Sequence, residues 1–248
     1  MIINSSYTDI ATADGGSMRT FVAAPKREGK YPGIVFFSDI FQLSGPMLRS
    51  CARLAGYGFV VAAPEIYHRV EQPGAVIPFD DDGRTRGLAN AARTTVAQFD
   101  IDCRATLGWL SEHPQVAPGK IGAAGFCLGG HLAFRAALQP EVRATVCFFG
   151  TGIHNGKLGA DDDAGSLQRV SEIQGDLFLV WGTLDPHIPA EGRELIDAFL
   201  RSAGTRFSSR LYPAEHAFMR DEGPRYDSEV TDHAFADMIS LYRRIFPR

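Results

Sequence analysis

The sequence predicts an α/β fold, a mostly parallel sheet with helices on both faces, and three observations carry that prediction. Short β-rich runs alternate with helix-length segments from about residue 19 onward. The runs Ile34-Val35-Phe36-Phe37 and Leu177-Phe178-Leu179-Val180-Trp181 are apolar at every position, which suits strands buried on both faces of a parallel sheet. Helix punctuation agrees: Pro46 near the start and Gly56 past the end bracket one helical stretch, and Gly204 closes another.

Taken in order, strands are expected at Met18 to Ala24, Gly33 to Ser38, Gly58 to Ala62, Lys120 to Gly125, Ala144 to Gly150, Leu177 to Gly182 and Phe207 to Tyr212. Helices are expected at Gly45 to Gly56, Thr94 to His113, Leu128 to Leu138, Ala190 to Gly204 and Tyr226 to Phe246. Two stretches break the rhythm. Residues 65 to 93, with Pro73, Pro78 and aspartates at 80 to 82, read as a long excursion, and residues 151 to 175, with aspartates at 161 to 163, read as another. Long loops in a compact domain are often lids or binding loops, while each aspartate triplet reads as a solvated turn.

Composition narrows the function classes. A chain of 248 residues with 45% hydrophobic and 22% charged residues reads as one globular domain over 1–248. A net charge of −4 gives no footprint for nucleic acid or an anionic membrane. The beginning of the chain lacks a signal-like pattern and no apolar run is long enough to span a bilayer, so the cytoplasm is the expected location. Cys51, Cys103, Cys127 and Cys147 show neither zinc spacing nor a disulfide framework, so no metal site is expected, and three of them read as core filler.

The fourth cysteine stands apart. Gly125-Phe126-Cys127-Leu128-Gly129-Gly130 lies between an expected strand and an expected helix, the setting of a nucleophile elbow. Small residues two before and two after the thiol let the turn close, and the helix N-terminus favours negative charge on the sulphur. A phosphate-binding loop fits poorly, since the segment lacks a Gly-Lys-Ser/Thr ending and a full Gly-x-Gly-x-x-Gly run.

Two further strand ends carry reactive groups. Asp185 follows Val180-Trp181-Gly182, and His216 follows Leu211-Tyr212. Nucleophile, acid, histidine is the chain order of α/β hydrolases, in which the histidine takes the thiol proton and the acid fixes its tautomer. Singly, Asp185 reads equally as a turn or cap residue and His216 as a loop histidine; their joint placement after successive strands favours catalysis. The backbone N–H groups of Leu128 and Ile40 are the expected oxyanion donors. Asp39, beside Ile40, either orients the thiol or only orders its loop.

These motifs, with Asp39-Ile40-Phe41, Gly129-Gly130-His131-Leu132-Ala133-Phe134 and His216-Ala217-Phe218-Met219-Arg220, resemble the dienelactone hydrolases, also called carboxymethylenebutenolidases, over nearly the whole chain. The resemblance implies a cofactor-free enzyme, monomer or homodimer, that opens a small ester or lactone through a Cys127 acyl-enzyme. It also implies two arginines holding a substrate carboxylate: Arg220 by direct match, and Arg86, with Arg84 as the alternative. Family members with lactonase activity carry glutamate where this chain has Asp39, one methylene shorter. The competing reading is a catalytically idle scaffold that binds a ligand or senses oxidants through the same thiol.

Overall fold

A computed structural model describes residues 1–247. One eight-stranded sheet is built from β1 (Ile3–Ala11), β2 (Ser17–Pro25), β3 (Tyr31–Phe37), β4 (Val60–Pro64), β5 (Val116–Phe126), β6 (Val142–Phe148), β7 (Asp176–Gly182) and β8 (Phe207–Tyr212). Their order across the sheet is β1-β2-β4-β3-β5-β6-β7-β8. The β1–β2 and β2–β4 pairs are antiparallel and every other pair is parallel. Helices α1 (Gly45–Gly56), α2 (Asp81–Ala92), α3 (Val96–Glu112), α4 (Leu128–Ala136), α5 (Ala190–Ser202) and α6 (Ser228–Ile245) complete the fold, with a short 3₁₀ turn at Leu167–Glu172.

The all-apolar runs sit where they were expected. Val35, Phe36, Ala123, Val146, Leu179 and Val180 are fully buried, forming a continuous core through the middle of the sheet. Each large side chain in this core contributes roughly 1.5–3 kcal/mol relative to exposure. Helix α6 is tied to that core from its far end, where the buried Tyr242 hydroxyl donates to the carbonyl of Ala123 on β5 at 2.7 Å.

Two elements were not expected. Strand β1 is mostly exposed and polar on the sheet edge, so it lacks the hydrophobic alternation by which strands are recognised. The long excursion expected over residues 65 to 93 contains α2, and its aspartates start that helix rather than forming a solvated turn. Asp80 caps α2 by accepting the Gly83 N–H at 2.7 Å, while Asp81 and Asp82 occupy the first turn, where carboxylates favour a helix N-terminus. The second triplet is likewise employed, with Asp161 accepting the Val96 N–H at the start of α3 at 2.7 Å. Helix α1 ends at Gly56, and the left-handed residue beyond it is Gly58 at φ 98°.

From β3 the chain crosses to β4 on one side; from β4 it returns to β5 on the other side of β3. The carboxyl ends of β3 and β5 therefore part company, and such a switch point opens a crevice for ligands. Cys127 follows β5 and Asp39 follows β3, so both stand at that crevice.

Candidate active site

Cys127 joins β5 to α4 with φ 56° and ψ −118°, a conformation that costs a non-glycine residue about 1–3 kcal/mol. Its own backbone braces it: the N–H donates to Phe148 at 3.1 Å and the carbonyl accepts from Thr151 at 3.2 Å. The flanking glycines are sterically required. A Cβ at Gly125 would lie 1.8 Å from the Gly129 carbonyl oxygen, and one at Gly129 would lie 2.3 Å from that of Ser38. The elbow thus presses α4 against the end of β3, bringing the N–H of Leu128 toward the loop that carries Ile40.

That loop is fixed from three sides. Asp39 accepts the Phe41 N–H at 2.9 Å, Gln42 bridges from the Ala75 carbonyl at 3.0 Å to the Tyr67 N–H at 2.9 Å, and α2 lays Gly87 against the Ile40 carbonyl, where a Cβ would approach to 2.4 Å. Among the described residues, neither the Ile40 nor the Leu128 N–H is hydrogen-bonded to another protein group.

The acid and histidine meet as their positions in the chain require. His216 Nδ1 donates to Asp185 Oδ2 at 2.7 Å, and the other carboxylate oxygen accepts the His187 N–H at 2.8 Å. Both side chains are buried. Burial alone lowers the basicity of His216. The charge on Cys127, the hydrogen bond to Asp185 and the hydrogen bond to Cys127 outweigh it and raise His216 to about 9. With Nδ1 engaged by Asp185, Nε2 is the ring atom left for the sulphur. The ring is steadied by aromatic edges from Phe149 at 5.3 Å and His187 at 4.7 Å between centroids.

Asp39 is brought beside the site but is occupied by Arg220. The Arg220 guanidinium donates to Asp39 Oδ2 from Nη2 at 2.6 Å and Nε at 3.2 Å, between the rings of Phe41 and Phe79 at 4.6 and 4.8 Å. A cavity of about 700 Å³ opens above Cys127, lined by Ile40, Leu128, Thr151, His187, His216 and Arg220 together with Arg84, Arg225 and Lys157 at its mouth.

The structure places Arg86 elsewhere. It lies outside the cavity lining and donates from Nε to Glu71 at 2.7 Å, while Arg84, the alternative, lines the cavity. Helix phase is the cause: two residues are about 200° of turn, so Arg84 and Arg86 leave α2 in opposite directions. Sequence reasoning passed over Thr151, Phe149 and Arg225. The first two follow β6, a strand end between the elbow and the acid, and ranking every strand end would have found them.

A deeper polar chain backs the elbow. Buried His131, on α4, donates from Nδ1 to the Thr151 carbonyl at 3.0 Å and accepts at Nε2 from the Ser166 hydroxyl at 2.8 Å. Ser166 Oγ in turn accepts from Arg135 at 2.9 Å, and Arg135 is paired with Asp100 at 2.6 Å. Burial, with the nearby Arg135 charge, lowers His131 to about 3, so it stays neutral here. Among the described residues no cluster of three or more His, Cys, Asp or Glu side chains is arranged to hold a metal, and no helix is long and apolar enough to cross a membrane.

A mostly parallel sheet with a strained residue at the strand-to-helix corner and an Asp–His pair after two later strands, β7 and β8, defines an α/β hydrolase. The chain belongs to the dienelactone hydrolase family, whose model matches residues 18–246. It is 37% identical over 254 residues to "Putative carboxymethylenebutenolidase" of Saccharomyces cerevisiae, covering 98% of this chain and 93% of that one. It is 28% identical over 235 residues to carboxymethylenebutenolidase of Pseudomonas sp. strain P51, covering 94% and 92%. In fold it is similar to the crystal structure of "Putative Dienelactone Hydrolase" from Klebsiella pneumoniae, with a TM-score of 0.87, 24% identity and coverage of 98% and 100%. The protein is therefore a hydrolase of this family.

Proposed function

We propose that the protein hydrolyses a small ester or lactone bearing a carboxylate, through a Cys127–His216–Asp185 triad and an acyl-enzyme. The observation that carries this reading is the strained Cys127 at the floor of the cavity, facing a buried histidine already fixed by an aspartate. The Cys127 proton passes to His216 Nε2, and the thiolate attacks the ester carbonyl. The N–H groups of Ile40 and Leu128 receive the developing oxyanion. Protonated His216 then gives its proton to the departing alkoxide, leaving a thioester; water, deprotonated by His216, resolves it to the acid and restores the thiol.

The mouth supports an anionic substrate. Arg84 and Arg225 make no ion pair among the described residues and line the same opening as Arg220. Their charges reach inward: His187 is lowered by burial first, then by His216, and also by Arg225 and Arg84. Guanidinium groups bind carboxylates in paired geometry. Asp39 acts on this reading by holding Arg220, and His216 activates the thiol.

The idle-scaffold reading is less well supported, because a thiol that only binds or senses has no use for a buried histidine already fixed by an aspartate. Incubation with a chromogenic ester, followed by intact-mass measurement, is expected to trap an acyl adduct on the wild type and none on Cys127→Ala. Full turnover by that variant would overturn the proposal.

A further inference from the structure

We propose that the Thr151 hydroxyl is a fixed donor to the Cys127 thiolate, a fourth member of the reacting group beside the triad; the inference rests on the nucleophile assignment above. Thr151 Oγ1 lies 3.9 Å from Sγ, at the long end for a hydrogen bond to sulphur, and among the described residues Cys127 is its sole hydrogen-bonding neighbour. A charged acceptor draws such contacts shorter and makes them stronger.

The backbone of Thr151 is held at both ends by the elbow itself. Its N–H donates to the carbonyl of Cys127 at 3.2 Å, and its carbonyl accepts from His131 Nδ1 at 3.0 Å. His131 is held by Ser166, and Ser166 by the Arg135–Asp100 pair, so a buried chain of hydrogen bonds fixes Thr151 relative to the sulphur. A β-branched side chain adds stiffness at χ1. The hydroxyl is therefore positioned before any substrate arrives, on a residue that also lines the cavity.

The thiol proton goes to His216 Nε2, Thr151 keeps its own proton, and the thiolate accepts from both. When sulphur bonds to the acyl carbon the contact weakens and the hydroxyl is free to turn toward the cavity. Of the other titratable or charged groups, His216, His187 and Arg220 line the same cavity as the sulphur, Asp39 is held by Arg220, and the Tyr67 hydroxyl is pushed well up by burial and by the charges of Cys127 and Asp39. None of these is on the segment that carries Thr151.

The test is the rate of alkylation by iodoacetamide as a function of pH, read on the intact protein, with Cys127→Ala identifying the signal. Thr151→Val keeps the shape and removes the donor. Its profile is expected to move to higher pH by about one unit, the size of one charge-assisted hydrogen bond, with alkylation at neutral pH falling roughly threefold to tenfold. Thr151→Ser is expected to restore the wild-type profile, and Thr151→Ala to move it as Val does, with less demand on packing. A Thr151→Val and Thr151→Ala profile superimposed on that of the wild type would overturn the inference. No substrate enters this experiment, so its outcome is separate from whether Cys127 turns over an ester.

Discussion

The floor and the mouth of the cavity are built on different principles. At the floor, Cys127, His216 and Asp185 are buried and each is braced from inside the protein: Phe148 and Thr151 on the cysteine, His187 on the aspartate, aromatic edges on the histidine. At the mouth, Arg84 and Arg225 are exposed on α2 and on the loop after His216, with no ion pair among the described residues to fix them. On the proposed mechanism, the rigid support below would hold the reacting atoms in line, and the loosely held cations above would take anions of different shapes. The difference implies that changes at the floor act on the chemical step and changes at the mouth act on substrate choice.

The largest expected effect breaks the floor. Asp185→Asn leaves the size of the side chain intact but permits the wrong histidine tautomer, so kcat is expected to fall on the order of 10⁴-fold with little change in KM. The same variant removes one of the influences that raise His216, whose titration, followed by NMR, is expected to drop from about 9. A variant that keeps both kcat and the titration would show that Asp185 is only a turn residue.

His216 at the floor and His131 behind it also tie stability to pH. His131 binds a proton near pH 3 in the folded protein and near 6.5 when unfolded, because burial penalises its charged form. Its contribution is thus complete above about 6.5 and is lost as pH falls, on the order of 2 kcal/mol by pH 5. His216 has the opposite sign: raised to about 9, it contributes fully below 6.5 and loses that contribution as pH rises through 9. Urea unfolding at pH 7 and pH 5 is expected to show the acid loss in the wild type and most of it absent in His131→Gln. An unchanged slope in that variant would place the acid sensitivity elsewhere.

The sequence reveals the two regions unequally, and for a physical reason. An elbow needs small residues at fixed offsets from its nucleophile, and the Gly125 and Gly129 contacts show why no other residue serves, so Cys127 is visible in one dimension. Asp185 and His216 are visible because buried strands announce themselves and the site lies at their ends. The mouth depends instead on α2, whose apolar pattern is weak because much of it faces solvent. Taken as a loop, the segment leaves Arg84 and Arg86 equivalent. Taken as a helix, it divides them: Arg84, Leu88, Ala91 and Ala92 share one face on the cavity, while Arg86 and Asn90 share another and both reach Glu71. Strand β1 escaped for the same reason as α2, since an exposed edge carries little hydrophobic signal.

That division sets the smallest effect and the one that separates the two arginines. Arg84→Ala is expected to raise KM for an acidic ester roughly threefold to tenfold while leaving kcat and the neutral ester nearly unchanged, because an exposed cation contributes uniform binding rather than transition-state stabilisation. Arg86→Ala is expected to leave both substrates alone and to change stability little, since its guanidinium is half exposed and Asn90 still donates to Glu71. Steady-state kinetics on a matched pair of acidic and neutral esters reads both variants at once. Selectivity lost in Arg86→Ala and kept in Arg84→Ala would mean that α2 presents its other face to the substrate, and the mouth would have to be rebuilt around Glu71.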